Sequence, residues 1–157
     1  MRVLGVAAAA LAVLLLAACG GGGNSAGGTA QALTADEFRR QADGICRRYE
    51  DKLNALDSPS SIEDLQDFVA RAVPLIEQGN EELHGLTPPD ELEADWDAAM
   101  KAQDENVETM HDLEDAVQNN DLSALQTITK SLDANQAESE RLAQKLGLKD
   151  CGEPQTG

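Results

Sequence analysis

The sequence predicts an all-α domain, an antiparallel up-down-up-down four-helix bundle with one disulfide. Apolar residues recur at spacings of three and four in four consecutive blocks after residue 34, as amphipathic helices require. Clusters of Pro, Asn, Asp, Ser and Gly separate the blocks, and no stretch alternates as a strand would. Four helices of about 20–28 residues with short loops favour antiparallel neighbours.

The first two blocks have recognisable ends. Thr34-Ala35-Asp36-Glu37 has the pattern of a capping box and opens the first helix. Ser60 or Ser61 caps the second helix, and Gly85 ends it. Pro74 lies inside the second block, so we expect a kink there, because proline removes a backbone donor and clashes with the preceding turn.

The third and fourth blocks are bounded in the same way. Pro89 or Asp90 is expected to begin the third helix, because proline is favoured in the first turn. Asn119-Asn120-Asp121 interrupts the pattern, and the Asp121 side chain caps the helix that follows. Gly147 closes the fourth helix. Each element therefore has a start and a stop signal.

The first residues have the pattern of an export signal. A basic Met1-Arg2 start precedes an apolar run, Val3–Leu16, that is short for a membrane span. Leu16-Ala17-Ala18-Cys19 then resembles the lipobox of bacterial lipoproteins. The resemblance implies a signal peptide over 1–18, a diacylglyceryl group on Cys19 and a location on the outer face of the cytoplasmic membrane. The alternative is an ordinary secretory signal with a coincidental cysteine.

Composition divides the rest of the chain. Residues 19–33 combine the lipidated cysteine with an uncharged Gly/Ser/Ala/Thr stretch, which predicts a flexible tether of roughly 20 Å. The helical domain is expected over 34–152 and a disordered tail over 153–157. Membrane attachment would then come from the lipid alone.

The strongly acidic balance excludes one class of partner. Twelve basic residues stand against 29 acidic ones, a net charge of −17. Such a surface repels phosphate backbones, so we expect no binding to nucleic acid. The charge is interpreted as a solubility feature, with weak, delocalised binding of divalent cations as the alternative.

Two cysteines remain once Cys19 carries the lipid. Cys46 and Cys151 are then the only candidates for each other, in a compartment where disulfides persist. In the bundle, the segment after the fourth helix would fold back along the first helix and bring Cys151 to Cys46. The alternative is two free thiols. Without a Cys-x-x-Cys pair, thiol redox catalysis is not predicted.

Two Glu-x-x-His sequences raise the question of a metal site. Glu81–His84 and Glu108–His111 have the spacing that di-iron bundles place on two helices. An aligned bundle would separate the two histidines by roughly 25 Å along its axis. Met100 and Met110 fall at packing positions rather than as haem ligands. We therefore expect no metal, no cofactor and no catalytic residue.

Polar residues at core positions are the remaining anomaly. The residues that fall where apolar residues would continue the helical stripes are Asn80, Gln103, Asn135, Gln136 and Ser139. One interpretation, which we favour, is a buried hydrogen-bonded layer that sets the helix register. The other is a small polar cavity for a ligand.

The helical domain carries motifs of its own. Cys46, Leu86-Thr87-Pro88-Pro89 and Gly147-Leu148-Lys149-Asp150-Cys151-Gly152 are similar to those of small helical lipoproteins of high-GC Gram-positive bacteria. That resemblance spans roughly residues 36 to 152. It implies the helical fold and the disulfide, and no particular activity.

These observations predict a monomeric, non-enzymatic, lipid-anchored module outside the cytoplasmic membrane. Its expected partner is an envelope protein or the cell wall, which would require an exposed apolar patch on the bundle. The alternative is a carrier of a small molecule or metal that uses the polar residues at mid-bundle.

Overall fold

A computed structural model describes residues 33–151. It contains four α-helices, α1 (Ala35–Asn54), α2 (Ile62–His84), α3 (Glu93–Gln118) and α4 (Leu122–Leu146), with no strand in that range. The predicted all-α, four-helix class is confirmed. The predicted signal peptide over 1–18, Cys19, the predicted tether up to residue 32, residue 152 and the predicted disordered tail over 153–157 lie outside the described residues.

Most helix ends fall where the sequence predicts them. The capping box at Thr34 is present in both directions, and Ser61 accepts a hydrogen bond from the Asp64 backbone. Asp121 caps α4 by accepting from two backbone N–H groups. The α2 helix continues through Pro74 and stops before Gly85.

The start of α3 differs from the prediction. The helix begins at Glu93, not at Pro89 or Asp90. The Leu92 backbone N donates to the Pro89 carbonyl at 2.8 Å, which closes a tight turn ahead of the helix. Trp96 N then donates to the Leu92 carbonyl at 2.8 Å, the first α-helical bond. The prolines therefore belong to the turn rather than to the first helical positions.

Side-chain pairs between neighbouring helices fix their directions. Between α2 and α3, Gln66 Nε2 donates to the Val117 carbonyl at 3.0 Å, and Asn80 Nδ2 donates to Asp104 at 2.8 Å. Residue numbers rise along α2 as they fall along α3, so the two helices are antiparallel. The pairs Asp95–Lys145 and Thr109–Asn135 give the same relation for α3 and α4. These contacts agree with the expected up-down-up-down order.

The helices are staggered along the bundle. The last residue of α2, His84, contacts Asp104, well inside α3. In the first half of α1, Phe38 packs edge-on against Trp96 near the start of α3, at 4.8 Å between ring centroids. Later in α1, Tyr49 contacts Glu82 near the end of α2. The N-terminal half of α1 and that of α2 therefore pack at opposite ends of α3 and α4, and all four helices meet between them.

A short C-terminal segment, residues 147–151 (the tail segment below), completes the fold. Gly147 has φ 75°, a left-handed conformation that turns the chain back at the end of α4. The Asp43 carboxylate accepts backbone hydrogen bonds from Lys149 at 2.9 Å and Asp150 at 3.0 Å. The segment thus runs along α1 to the Cys46–Cys151 bridge, with a Cα–Cα distance of 5.1 Å. The predicted disulfide and its route along α1 are confirmed.

Candidate functional site

A cavity of about 220 Å³ lies where the four helices meet. Its wall comes from 45–53 of α1, 76–83 of α2, 96–106 of α3, 136–146 of α4 and the tail segment. Within the described residues it is partly open to solvent. Leucine, isoleucine, methionine and two aromatic rings form the apolar part of the wall. The polar side chains without charge are Asn80, Gln103, Asn106, Gln136 and Ser139.

The aromatic part of the wall is held rigidly. Tyr49 packs against Gly79, where a Cβ atom would lie 3.0 Å from Tyr49 Cγ. The Tyr49 hydroxyl donates to the Glu82 carboxylate at 2.7 Å. This hydrogen bond raises the pKa of Tyr49 and lowers the pKa of Glu82. Trp96, buried between Phe38 and the cavity, provides the second ring.

Asn80 carries the unusual polar feature of the site. Its Nδ2 donates to Asp104 Oδ1 at 2.8 Å, and His84 Nε2 contacts the same oxygen at 2.8 Å. A carboxylate can only accept, so the amide must present its nitrogen to Asp104. Asn80 Oδ1 is thereby left buried and without a partner among the described residues. A buried acceptor without a donor lowers the stability of the folded chain by about 1–3 kcal/mol.

The same network shifts the acidity of Asp104. Partial burial raises the pKa of this carboxyl, but the hydrogen bonds from Asn80 and His84 outweigh burial and lower the pKa overall. Asp104 is therefore a carboxylate at neutral pH. It holds the Asn80 amide in one orientation throughout the physiological range.

The structure brings together four of the five polar residues singled out from the sequence. The cavity is lined by Asn80, Gln103, Gln136 and Ser139. Asn135 instead donates to Thr109 Oγ1 at 3.1 Å. Gln136 bonds to Glu140 on its own helix at 2.9 Å, and not to Gln103. The polar residues thus surround a space, and they do not form the hydrogen-bonded register layer favoured from the sequence.

Sequence reasoning passed over one other polar lining residue. Asn106 lies one helical turn after Gln103, so the i, i+3 spacing places both on one face. This spacing is the signal that could have found Asn106, although polar residues on an acidic helix mostly face solvent.

The two histidines lie closer together along the bundle axis than the roughly 25 Å expected for a bundle of aligned helices. His84 contacts Asp104, and His111 Nε2 contacts Glu77 at 3.0 Å, both across the α2–α3 seam. From Asp104 to His111 the rise along α3 is roughly 10 Å, so the estimate of 25 Å was wrong. The stagger of α2 is the reason. No group of three potential metal ligands occurs within residues 33–151.

The outer surface is poor in apolar features. Within the described range, Leu122, 69% exposed at the start of α4, is the sole large apolar residue that is strongly exposed. No described helix combines the length and apolar character needed to span a bilayer. No family model, curated protein or solved structure matches the chain. The functional assignment therefore rests on the residues of the cavity.

Proposed function

We propose that this chain is a small-molecule-binding protein, not an enzyme, that holds its ligand in the central cavity while anchored outside the cytoplasmic membrane. The observation that carries the proposal is the central cavity itself, whose wall combines apolar side chains and two aromatic rings with the uncharged polar side chains of Asn80, Gln103 and Gln136. Concave, mostly apolar sites with a few convergent polar groups are the usual form of ligand sites in proteins.

The size of the cavity limits the ligand. At about 220 Å³ it is larger than a dry cavity of roughly 150 Å³ that accepts benzene. A single ring with a short substituent fits this space. The rings of Tyr49 and Trp96 and the aliphatic wall would hold the apolar body, and the amides of Gln103 and Gln136 would orient a polar end.

Anchoring remains part of the proposal through the lipobox at Leu16–Cys19. Two acyl chains on Cys19 would hold the domain at the membrane, whereas one chain gives only marginal binding. The tether would leave the domain free to reorient. An envelope-protein or cell-wall partner has less support, because Leu122 is the sole strongly exposed large apolar residue within 33–151. One such side chain does not make an apolar contact patch.

A titration with a neutral probe of the right size tests the proposal. We expect 2-phenylethanol to bind and to change the fluorescence of Trp96, the only tryptophan of the sequence and part of the cavity wall. Ser139→Phe places a ring in the cavity and should abolish the change. Ser131→Phe, on the exposed face of the same helix, is the matched control and should preserve it.

The proposal is wrong if the probe gives no saturable signal by fluorescence or calorimetry. It is equally contradicted if Ser139→Phe, with its helical content intact, binds the probe as the native chain does. The Ser131→Phe control separates filling of the cavity from a general effect of an added aromatic ring.

A further inference from the structure

We infer that the ligand is a small organic cation, a protonated amine on an apolar body. The inference rests on the proposed function and adds a chemical class to it. It follows from the charges on the cavity wall and from the hydrogen-bonding groups left without partners there.

The charged side chains on the cavity wall are acidic. Two carboxylates line it, Glu50 from α1 and Asp150 from the tail segment, and within residues 33–151 it includes no lysine, arginine or histidine. A carboxylate or phosphate ligand would meet like charge in a partly desolvated space, which is unfavourable. The wall therefore selects against anions.

One of the two carboxylates is already neutralised. Asp150 pairs with Arg47 at 3.0 Å, and its backbone N donates to Asp43. Glu50, half-buried on α1, has no hydrogen bond or ion pair with another described residue. Glu50 is thus the charged group on the wall that a cationic ligand would meet.

The basic residues around Glu50 are engaged elsewhere. Arg47 pairs with Asp150, and Arg48 pairs with Glu82. Lys52 Nζ lies 3.9 Å from the centre of the Tyr49 ring. The half-buried Glu50 carboxylate is therefore left for an external cation, whose pairing with it would be a charge-assisted hydrogen bond.

The aromatic part of the wall points to the same chemistry. The indole ring of Trp96, which lines the cavity, favours both an aromatic ring and a positive charge close to it. The net charge of −17 also raises the local concentration of cations around the domain.

Three probes of similar size distinguish the effect of the ligand's charge from the effect of its shape. At pH 7, 2-phenylethylamine is a cation, 2-phenylethanol is neutral and 3-phenylpropionate is an anion. We expect the amine to bind about tenfold more tightly than the alcohol, the usual gain from one charge-assisted hydrogen bond, and the anion not to bind. Calorimetry and Trp96 fluorescence measure all three affinities.

Glu50→Gln assigns the preference to one group. The substitution keeps the size of the side chain and should bring the affinity for the amine down to that for the alcohol, which itself stays unchanged. Glu108→Gln, at an exposed position on α3, is the matched control and should leave the preference intact.

The outcomes distinguish the inference from the proposed function. If the alcohol binds and the amine binds no better, or if Glu50→Gln leaves the preference intact, the cation inference is overturned while the cavity remains a binding site. If the anion binds best, the inference is overturned in the opposite sense. If no probe binds, the inference fails together with the proposed function.

Discussion

Asn80 illustrates how one charged neighbour can fix the orientation of an amide side chain. Its amide has two donors and one acceptor oxygen, and Asp104 accepts from the nitrogen because a carboxylate has no proton to give. Asp104 stays ionised because its pKa is lowered. The consequence is an acceptor, Asn80 Oδ1, that stays buried and unmatched.

The Tyr49–Glu82 hydrogen bond leads to a prediction at the same scale. Glu82→Gln should return the pKa of Tyr49 towards its ordinary value of 10.0, because the bond to the carboxylate is the main cause of the raised pKa. Tyr49 is the only tyrosine of the sequence, so absorbance of the phenolate reports its titration directly. Glu108→Gln should leave that titration unchanged.

The same pair sets a pH window for stability. Glu82 has a lowered pKa in the folded chain, so its contribution is present above about pH 4.5 and is lost as the pH falls through the lowered pKa. Tyr49 has a raised pKa, so its contribution is present below pH 10.0 and is lost as the pH rises through the raised value. The stability difference between the native chain and Glu82→Gln should form a plateau between these limits. A difference that is flat across the whole range would contradict this assignment.

At the scale of the elements, the tail segment is a structural part of the cavity. Leu148, Asp150 and Cys151 all line it, and the Cys46–Cys151 bridge holds the segment against α1. Because α1 and α4 approach each other less closely than the other neighbouring helices, this short segment supplies part of the wall between them. The disulfide therefore supports both the fold and the shape of the site.

Removing the bridge should affect stability and binding together. The bridge joins residues 105 positions apart. We expect Cys46→Ser combined with Cys151→Ser to lower the free energy of unfolding by about 2–4 kcal/mol, because the unfolded chain regains the freedom of a long loop. The freed tail segment should also weaken binding of 2-phenylethanol. Urea unfolding and the Trp96 titration measure the two effects.

A reducing agent provides the control for that prediction. It should reproduce both effects in the native chain and should change nothing in the double serine variant. Loss of stability with unchanged probe affinity would mean that the tail segment keeps its place without the bridge.

Across the whole molecule, the sequence predicts the elements better than their alignment. Helical periodicity identifies the buried face of each helix, and the cysteines and Gly147 predict how the chain closes on α1. Periodicity contains no information about axial offset. The connections at 55–61 and 85–92 are long enough to allow more than one axial position of α2 relative to its neighbours. The axial stagger of the helices, the start of α3 and the position of His84 along the bundle axis were therefore not predictable from periodicity.

The candidate site was predictable in part, for a related reason. Asn80, Gln103 and Gln136 are polar residues at core positions, a pattern that periodicity makes visible. Glu50 is a charged residue on a helix rich in charged residues, so the sequence pattern predicts that it faces solvent. In the structure, the overlap of the helices places it on the cavity wall. At one end of the bundle α1 packs with α3 and α4, and at the other end α2 packs with them. The cavity lies where these two groups of helices meet, so only the three-dimensional arrangement reveals it.

The most direct measurement is native mass spectrometry of the chain purified from its own membrane in a mild detergent. We predict a chain that begins at Cys19 with covalent lipid mass, and a dissociable small molecule that is absent from the Ser139→Phe variant and retained by Ser131→Phe. A chain that carries no small molecule, or one that Ser139→Phe retains equally, would contradict the account.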